Sequence, residues 1–231
     1  MKKVEHTKAA LYIDGKKREM PEYCQVETVV QCNQHTFQLA LEQLSKFLSQ
    51  LGYKHTELIP WISQITWSSS DEDRDAHILN LPKTIVLNRL EPLPCAGLEV
   101  LIQRDVNPIS SNDGWLKPGI LFDAETVRDI STGRYKPEVG KTLWYLFQQL
   151  AGVFREGGIY FTDEWQEGRV VWTVAGMRQE VNLWAFDLAL VPKALTSRFG
   201  TTPEVMQRID LGDWIGFARS DRWDRLPWDG G

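Results

Sequence analysis

The chain has 231 residues, 26 of them basic and 31 acidic, for a formal net charge of −5. That balance argues against a dedicated nucleic-acid or membrane-surface protein, because such binding relies on clustered Lys and Arg. A hydrophobic fraction of 42% suffices for a packed core, and the length fits one large domain or two small ones.

The opening Met1 to Lys8 places charged residues and His6 where a secretory signal needs an apolar stretch of about seven residues, so export is not expected. The longest apolar run, Leu183 to Val191, is interrupted by Asp187 and falls short of the ~20 residues that cross a bilayer. Three cysteines, Cys24, Cys32 and Cys95, are odd in number and lie in apolar surroundings, which fits reduced thiols and a cytoplasmic location.

In chain order, Asp14-Gly15 between Leu11 and Lys16 predicts a tight hairpin. From Cys24 to Cys32, Cys24, Val26, Thr28, Val30 and Cys32 alternate with Gln25, Glu27, Val29 and Gln31, which predicts a strand with one buried face. Phe37, Leu41, Leu44, Leu48 and Leu51 recur at helical spacing, so a packing helix is expected over His35 to Leu51, closed by Gly52. Between Gly52 and Gly97 four prolines and the polar patch Ser68 to Asp75 predict short elements and exposed loops. Leu98 to Gln103 reads as a strand, and Val106 to Gly119 as a long loop.

Beyond that loop, Asp123 can cap a short helix through Ile130. A longer helix is expected from Pro137 to Arg155, with Val139, Leu143, Leu146, Leu150 and Phe154 on one face. Ile159 to Thr162 and Val170 to Val174 predict a hairpin about the loop Asp163 to Gly168, followed by a third strand near Val181 to Leu190. Short helices are expected from Lys193 to Phe199 and after Thr201-Thr202-Pro203-Glu204, a capping-box pattern. The fold class is therefore α+β, antiparallel strands packed against two main amphipathic helices. The organisation is a single domain over 1–231, with a possible subdivision into 1–105 and 120–231 around the loop at 106–119.

Several motifs begin a catalytic or metal site and fail to complete it. Gly140-Lys141-Thr142 matches the end of a phosphate-cradling loop, but Tyr135 stands where its first Gly belongs and Pro137 removes one amide. Asp71, Asp73 and Asp75 open like a calcium loop, yet Ala76 and Pro82 occupy its Gly and Glu positions. Cys32, His35 and Cys24 lack the second ligand pair a structural zinc needs. His6, His35, His55 and His77 have no nucleophile signature beside them. No metal and no cofactor are expected.

Asp187 is a lone carboxylate among apolar residues, so it must pair, protonate or point outward; the expected partners are Arg169, Arg178 or Arg198. An acidic site could combine Asp187 with Asp163 and Glu164 in a metal-dependent phosphoryl-transfer or phosphodiester hydrolase. The chain also holds ten Trp, eight of them at or beyond Trp115. Trp144, Trp172 and Trp184 read as core, whereas Trp165 lies in an acidic loop and Trp223 and Trp228 in an Arg/Asp-rich tail. Trp and Arg dominate interaction hot spots, so Trp165, Arg222, Trp223, Arg225 and Trp228 form the expected partner-binding surface, unless the tail packs back on the fold. Residues 208 to 229 hold four Arg against five Asp, which disfavours nucleic acid there. The leading expectation is a non-enzymatic protein interaction or assembly factor, with the acidic hydrolase as the alternative.

Overall fold

A computed structural model describes residues 10–13, 16–19, 23–67, 74–80, 82–87, 90–104, 113–176 and 183–229. Strands β1 (Ala10–Ile13) and β2 (Lys16–Glu19) pair with Ile13 opposite Lys16, the hairpin expected about Asp14-Gly15, whose turn lies outside the described residues. β3 (Tyr23–Thr28) and β4 (Val30–Asn33) cover the alternating run. The single buried face expected there is corrected: Gln25 and Glu27 are buried as fully as Cys24 and Val26, because the sheet is covered on both sides at β3. Helix α1 (Phe37–Gln50) buries Phe37, Ala40, Leu41, Leu44, Phe47 and Leu48. It ends as a Schellman motif: Gly52, at φ +89°, donates to Ser49 O and Tyr53 N donates to Leu48 O at 3.1 Å.

Short elements follow as expected: α2 (His55–Ile62), β5 (Arg74–Leu79), β6 (Lys83–Ile85), β7 (Leu93–Cys95) and then β8 (Gly97–Arg104). The loop expected over 106–119 is corrected, since residues 113–119 begin the long strand β9 (Asp113–Asp123), while 105–112 lie outside the described residues. Lys117, Pro118 and Gly119 broke the apolar signal without breaking the strand. They leave one mark on the sheet. Glu27 pairs with Gly119 and Val30 with Leu116 in one register, and pairing lapses between β3 and β4 opposite Pro118, which has no N–H to give. The helix after Asp123 is α3 (Ala124–Val127), which stops short of Ile130 because Arg128 turns out to bridge Tyr135.

Helix α4 (Pro137–Val153) starts with Pro at its first turn and buries Val139, Leu143, Leu146, Phe147 and Leu150. β10 (Ile159–Asp163) is the expected strand, but Val170 to Val174 is not its hairpin partner. That run forms the short helix α5 (Arg169–Val174), an override of β propensity by tertiary packing. All five residues are buried, Thr173 hydroxyl donates back to Arg169 O at 2.7 Å, and Arg198 closes the C-terminus by donating to Val174 O at 2.7 Å. The strand beside β10 is β11 (Leu188–Pro192); residues 177–182, including Arg178, lie outside the described residues. α6 (Lys193–Thr196) and a 3-10 turn (Ser197–Phe199) end at Gly200, as the sequence indicated. The helix expected after Thr201 is corrected: Pro203 O accepts from Met206 N in a turn, and β12 (Met206–Leu211) and β13 (Trp214–Arg219) form a hairpin about Gly212-Asp213.

Among the described residues these strands build a nine-stranded antiparallel sheet, β12-β13-β11-β10-β3-β9-β8-β5, with β4 also on β9. The protein is an α+β domain. α1 and α4 cover one face over Val26, Phe122, Phe161 and Leu188, and α5 covers part of the other over Tyr160, Phe186 and Phe217. β3 stands between β9 and β10, and that position decides where the polar chemistry goes.

Candidate functional site

Side chains alternate across a sheet, so the pairings Gln25–Thr162 and Cys24–Asp163 send polar groups of β3 and β10 to opposite faces. Gln25, Glu27 and Thr162 face α5; Cys24 and Asp163 face α4. Each set meets a buried cation. The loop Asp163 to Gly168 joins the two sets at the end of β10.

On the α5 side the cation is Lys117, fully buried on β9. Its Nζ donates to Glu27 at 3.1 Å, Glu99 at 2.9 Å and Glu167 at 3.4 Å. Glu27 also accepts from Gln25 Nε2 at 3.1 Å, from Thr162 hydroxyl at 3.2 Å, and from Gly168 N at 3.2 Å to both oxygens. Gly168, at φ +67°, brings this N–H inward and sets the loop against β3. Burial raises the Glu27 carboxyl above its ordinary range even though Lys117 opposes the shift. Burial by itself would depress the Lys117 ammonium, but Glu27, Glu99 and Glu167 together hold it above its ordinary value. At the margin of this cluster Tyr23 hydroxyl donates to Glu167, and burial followed by Glu167 pushes the phenol up. Glu99 and Glu167 reach solvent, with 11% and 23% of their side chains exposed.

On the opposite face the cation is Arg128. Its guanidinium lies 3.0 Å from Asp163 and 3.5 Å from Asp187, and it donates to Tyr135 hydroxyl, which donates in turn to Asp187 at 2.7 Å. Gln166 Nε2 reaches the second oxygen of Asp187 at 3.2 Å. Cys24 Sγ lies 3.9 Å from Tyr135 hydroxyl, and burial pushes its thiol up to about 12. The tail closes this cluster. Trp223 stacks on Tyr135 with ring centroids 4.4 Å apart and donates its indole N–H to Asp187 O at 2.8 Å. A side chain at Gly140 would come within 3.1 Å of the Trp223 ring, so Gly140 serves close packing. Thr142 hydroxyl likewise donates to Glu91 O at 2.9 Å, and Gly140-Lys141-Thr142 is an ordinary helix turn under the tail.

The predicted residues are thus divided. Asp163 and Asp187 do come together, but around a guanidinium, while Glu164 lies on the Tyr23 side, its backbone N donating to Tyr23 O at 3.2 Å. The expected partners of Asp187 are corrected: it pairs with Arg128 and lies 3.8 Å from Arg219 and 3.9 Å from Arg222, whereas Arg198 caps α5 and Arg169 points outward from that helix. Trp165 is 53% exposed at the loop tip, and Trp223 only 2% exposed. Trp228 is half-buried against Trp144, their rings 5.2 Å apart, and Arg225 is exposed. Arg222 borders the Trp165 loop, since it and Gln166 approach the same Asp187 oxygen. Cys24, Cys32 and Cys95 are buried cysteines, and His35 is exposed at the turn before α1. Asp75 lies on β5, while Asp71, Asp73 and His6 lie outside the described residues. Among the described residues no group of three or more His, Cys, Asp and Glu is disposed to hold a metal.

Compared with known proteins, the sequence matches no family model and no curated protein. The site therefore rests on its geometry. Sequence reasoning missed Glu27, Glu99, Lys117, Glu167, Arg128 and Tyr135. One signal for the first cluster was available: Gln25 and Glu27 occupy alternate positions of a strand whose neighbours Val26 and Val29 are apolar.

Proposed function

We propose that this protein is a non-enzymatic interaction module of a reducing, cytoplasmic compartment that receives a protein partner at the Asp163 to Gly168 loop. The observation that supports this reading is Trp165, a large aromatic side chain 53% exposed on a loop tied at both ends into buried ion networks. A rigidly held, exposed aromatic is the kind of anchor that dominates interface energetics, because little conformational freedom remains to be lost on binding. Arg222 borders the loop and Arg225 is exposed on the tail, while Trp223 and Trp228 serve from behind by packing the tail. Buried thiols such as Cys24 and Cys95 fit the reducing compartment, and among the described residues no helix is long and apolar enough to cross a membrane.

The alternative, a metal-dependent phosphoryl-transfer or phosphodiester hydrolase at Asp187 with Asp163 and Glu164, has less support. Arg128 already sits between the two aspartates, and its positive charge opposes a divalent ion there. The deciding experiment captures partners of the tagged full-length protein from its own cells, purifies the major one, and measures its affinity for wild type and Trp165→Ala. A loss of at least about tenfold with Trp165→Ala is expected, which corresponds to ~1.4 kcal/mol at an interface anchor. Unchanged affinity with Trp165→Ala would move the partner site elsewhere. A thermal stabilisation by magnesium or manganese that Asp187→Asn removes would favour the enzyme instead.

A further inference from the structure

Helix α4 is tight against the strands at Gly216, where a side chain would come within 2.4 Å of the Trp144 ring. Nearer the C-terminus of α4 a space opens beside it. Two residues back along β13 from Gly216 stands Trp214, in register with Pro192 on β11 and Leu211 on β12, so these three side chains share one face of the sheet. It is the face that carries Leu190 into the core with α4. In the last turn of α4 a side chain built at Gly152 would meet nothing within 4 Å. The result is a cleft of about 510 Å³ with Ala151, Leu190, Leu211 and Trp214 as its apolar lining. That volume falls among those of small-molecule sites, roughly 300–1,000 Å³.

The same cleft is lined by two opposite charges, Arg155 just beyond the end of α4 and Asp213 at the β12–β13 turn. They do not pair with each other. Among the described residues the side chains of Gln148, Arg155, Asp213 and Trp214 make no hydrogen bond or ion pair, although charges close by are matched, Lys193 with Asp210 at 2.9 Å and Arg219 with Asp221 at 2.7 Å. We infer that this cleft binds a small zwitterion with an apolar body, of the class of free aromatic amino acids and short apolar peptides. A carboxylate meets the planar fork of Arg155, which can hold both its oxygens, and an ammonium meets Asp213. The apolar body lies on Leu190 and Leu211 with a ring against Trp214, and Gln148 offers both a donor and an acceptor. Arg155 and Asp213 sum to zero charge, so a ligand carrying only one charge leaves one of them unmatched.

The test titrates the ¹⁵N-labelled full chain with L-phenylalanine and with L-leucyl-L-phenylalanine at constant ionic strength, reading the indole N–H signal of Trp214, assigned by its loss in Trp214→Phe. Each probe is compared with its N-acetylated form, which lacks the ammonium, and its C-amidated form, which lacks the carboxylate. At least one zwitterion is expected to shift the signal saturably and to bind at least about tenfold tighter than either blocked form. Which of the two does so tells a free amino acid from a peptide. Arg155→Gln should erase the advantage over the amidated form, and Asp213→Asn the advantage over the acetylated one. Both positions are exposed, and each variant is checked for wild-type dispersion of the spectrum. No saturable shift with either zwitterion, or equal binding by the blocked forms, would overturn the site. Trp165→Ala should leave these titrations unchanged, so the cleft and the partner loop stand or fall separately.

Discussion

Arg128 and Lys117 neutralise carboxylates on opposite faces of the sheet, yet one is sealed and the other is not. Around Arg128 everything is inside: Asp163, Asp187 and Tyr135 are buried, and Trp223 lies across them as a lid fixed by its indole N–H. Around Lys117 the inner carboxylate, Glu27, is equally buried, but Glu99 and Glu167 open to solvent. Burying a charge costs several kcal/mol unless it is paired and hydrogen-bonded, so both clusters must contribute to specifying the fold. Only the open one meets water. The difference separates an ion network closed off from solvent from one whose outer carboxylates stay hydrated.

The largest expected effect lies on the sealed side. Arg128→Met would leave Asp163 without a cation and Asp187 with only the longer contacts to Arg219 and Arg222, and removing one partner of a buried network costs about 3–5 kcal/mol. A urea denaturation curve should show the midpoint falling by that equivalent, with the m-value unchanged. Lys117→Met should cost less, about 2–3 kcal/mol, because Glu99 and Glu167 can turn to water and only Glu27 stays stranded. Equal losses for the two variants would remove the distinction between the faces.

An alkaline titration sharpens the same contrast. Cys24 sits in the sealed cluster, and its thiol is raised from an ordinary 9.0 to about 12 by burial. Between those values an unfolded chain has lost a proton that the native state keeps, so the thiol's contribution is complete below pH 9 and is lost as pH rises toward 12. The slope is up to about 1.4 kcal/mol per pH unit. Cys24→Ala should flatten the fall in stability above pH 9, measured as the urea midpoint on either side of it; an unaltered slope would mean that solvent reaches the thiol. Trp223→Phe, which keeps the ring on Tyr135 and deletes the hydrogen bond to Asp187 O, should cost about 1 kcal/mol in the same measurement.

These clusters were only partly legible in the sequence, and the reason is distance along the chain. α1 and α4 could be read from spacing alone, since a helix declares itself through residues three and four apart. That Asp187 must pair, protonate or point outward could be read too, from the apolar residues on both sides of it. Its partner could not, because Arg128 stands 59 positions away and reaches it through a turn that the sequence continues as helix. Lys117 was lost inside an apparent loop, since Pro118 and Gly119 carry turn signals whatever strand they occupy. Val170 to Val174 carried the strongest strand propensity of the C-terminal third and became a helix, because a wholly buried segment has no polar face to set its period. The Trp count pointed to the tail, but a ring's neighbours decide its exposure: Tyr135 and Gly140 take in Trp223, and nothing local to Trp165 does the same.

Trp165 therefore supplies the smallest effect on stability and the one that decides most about function. Its side chain is half out of the fold, while the loop beneath it is held by Asp163 accepting from Trp165 N at 3.1 Å and Gln166 N at 3.2 Å, and by Gly168 N on Glu27. These are backbone and neighbour contacts, so Trp165→Ala leaves them in place. An exposed substitution of this kind should change stability by no more than about 0.5 kcal/mol. A larger loss in the urea midpoint would show that the indole packs on the domain and is not held ready for a partner. A change within that margin, joined to the tenfold loss of partner affinity, would separate binding from folding at a single side chain, which neither Trp223 nor Arg128 allows.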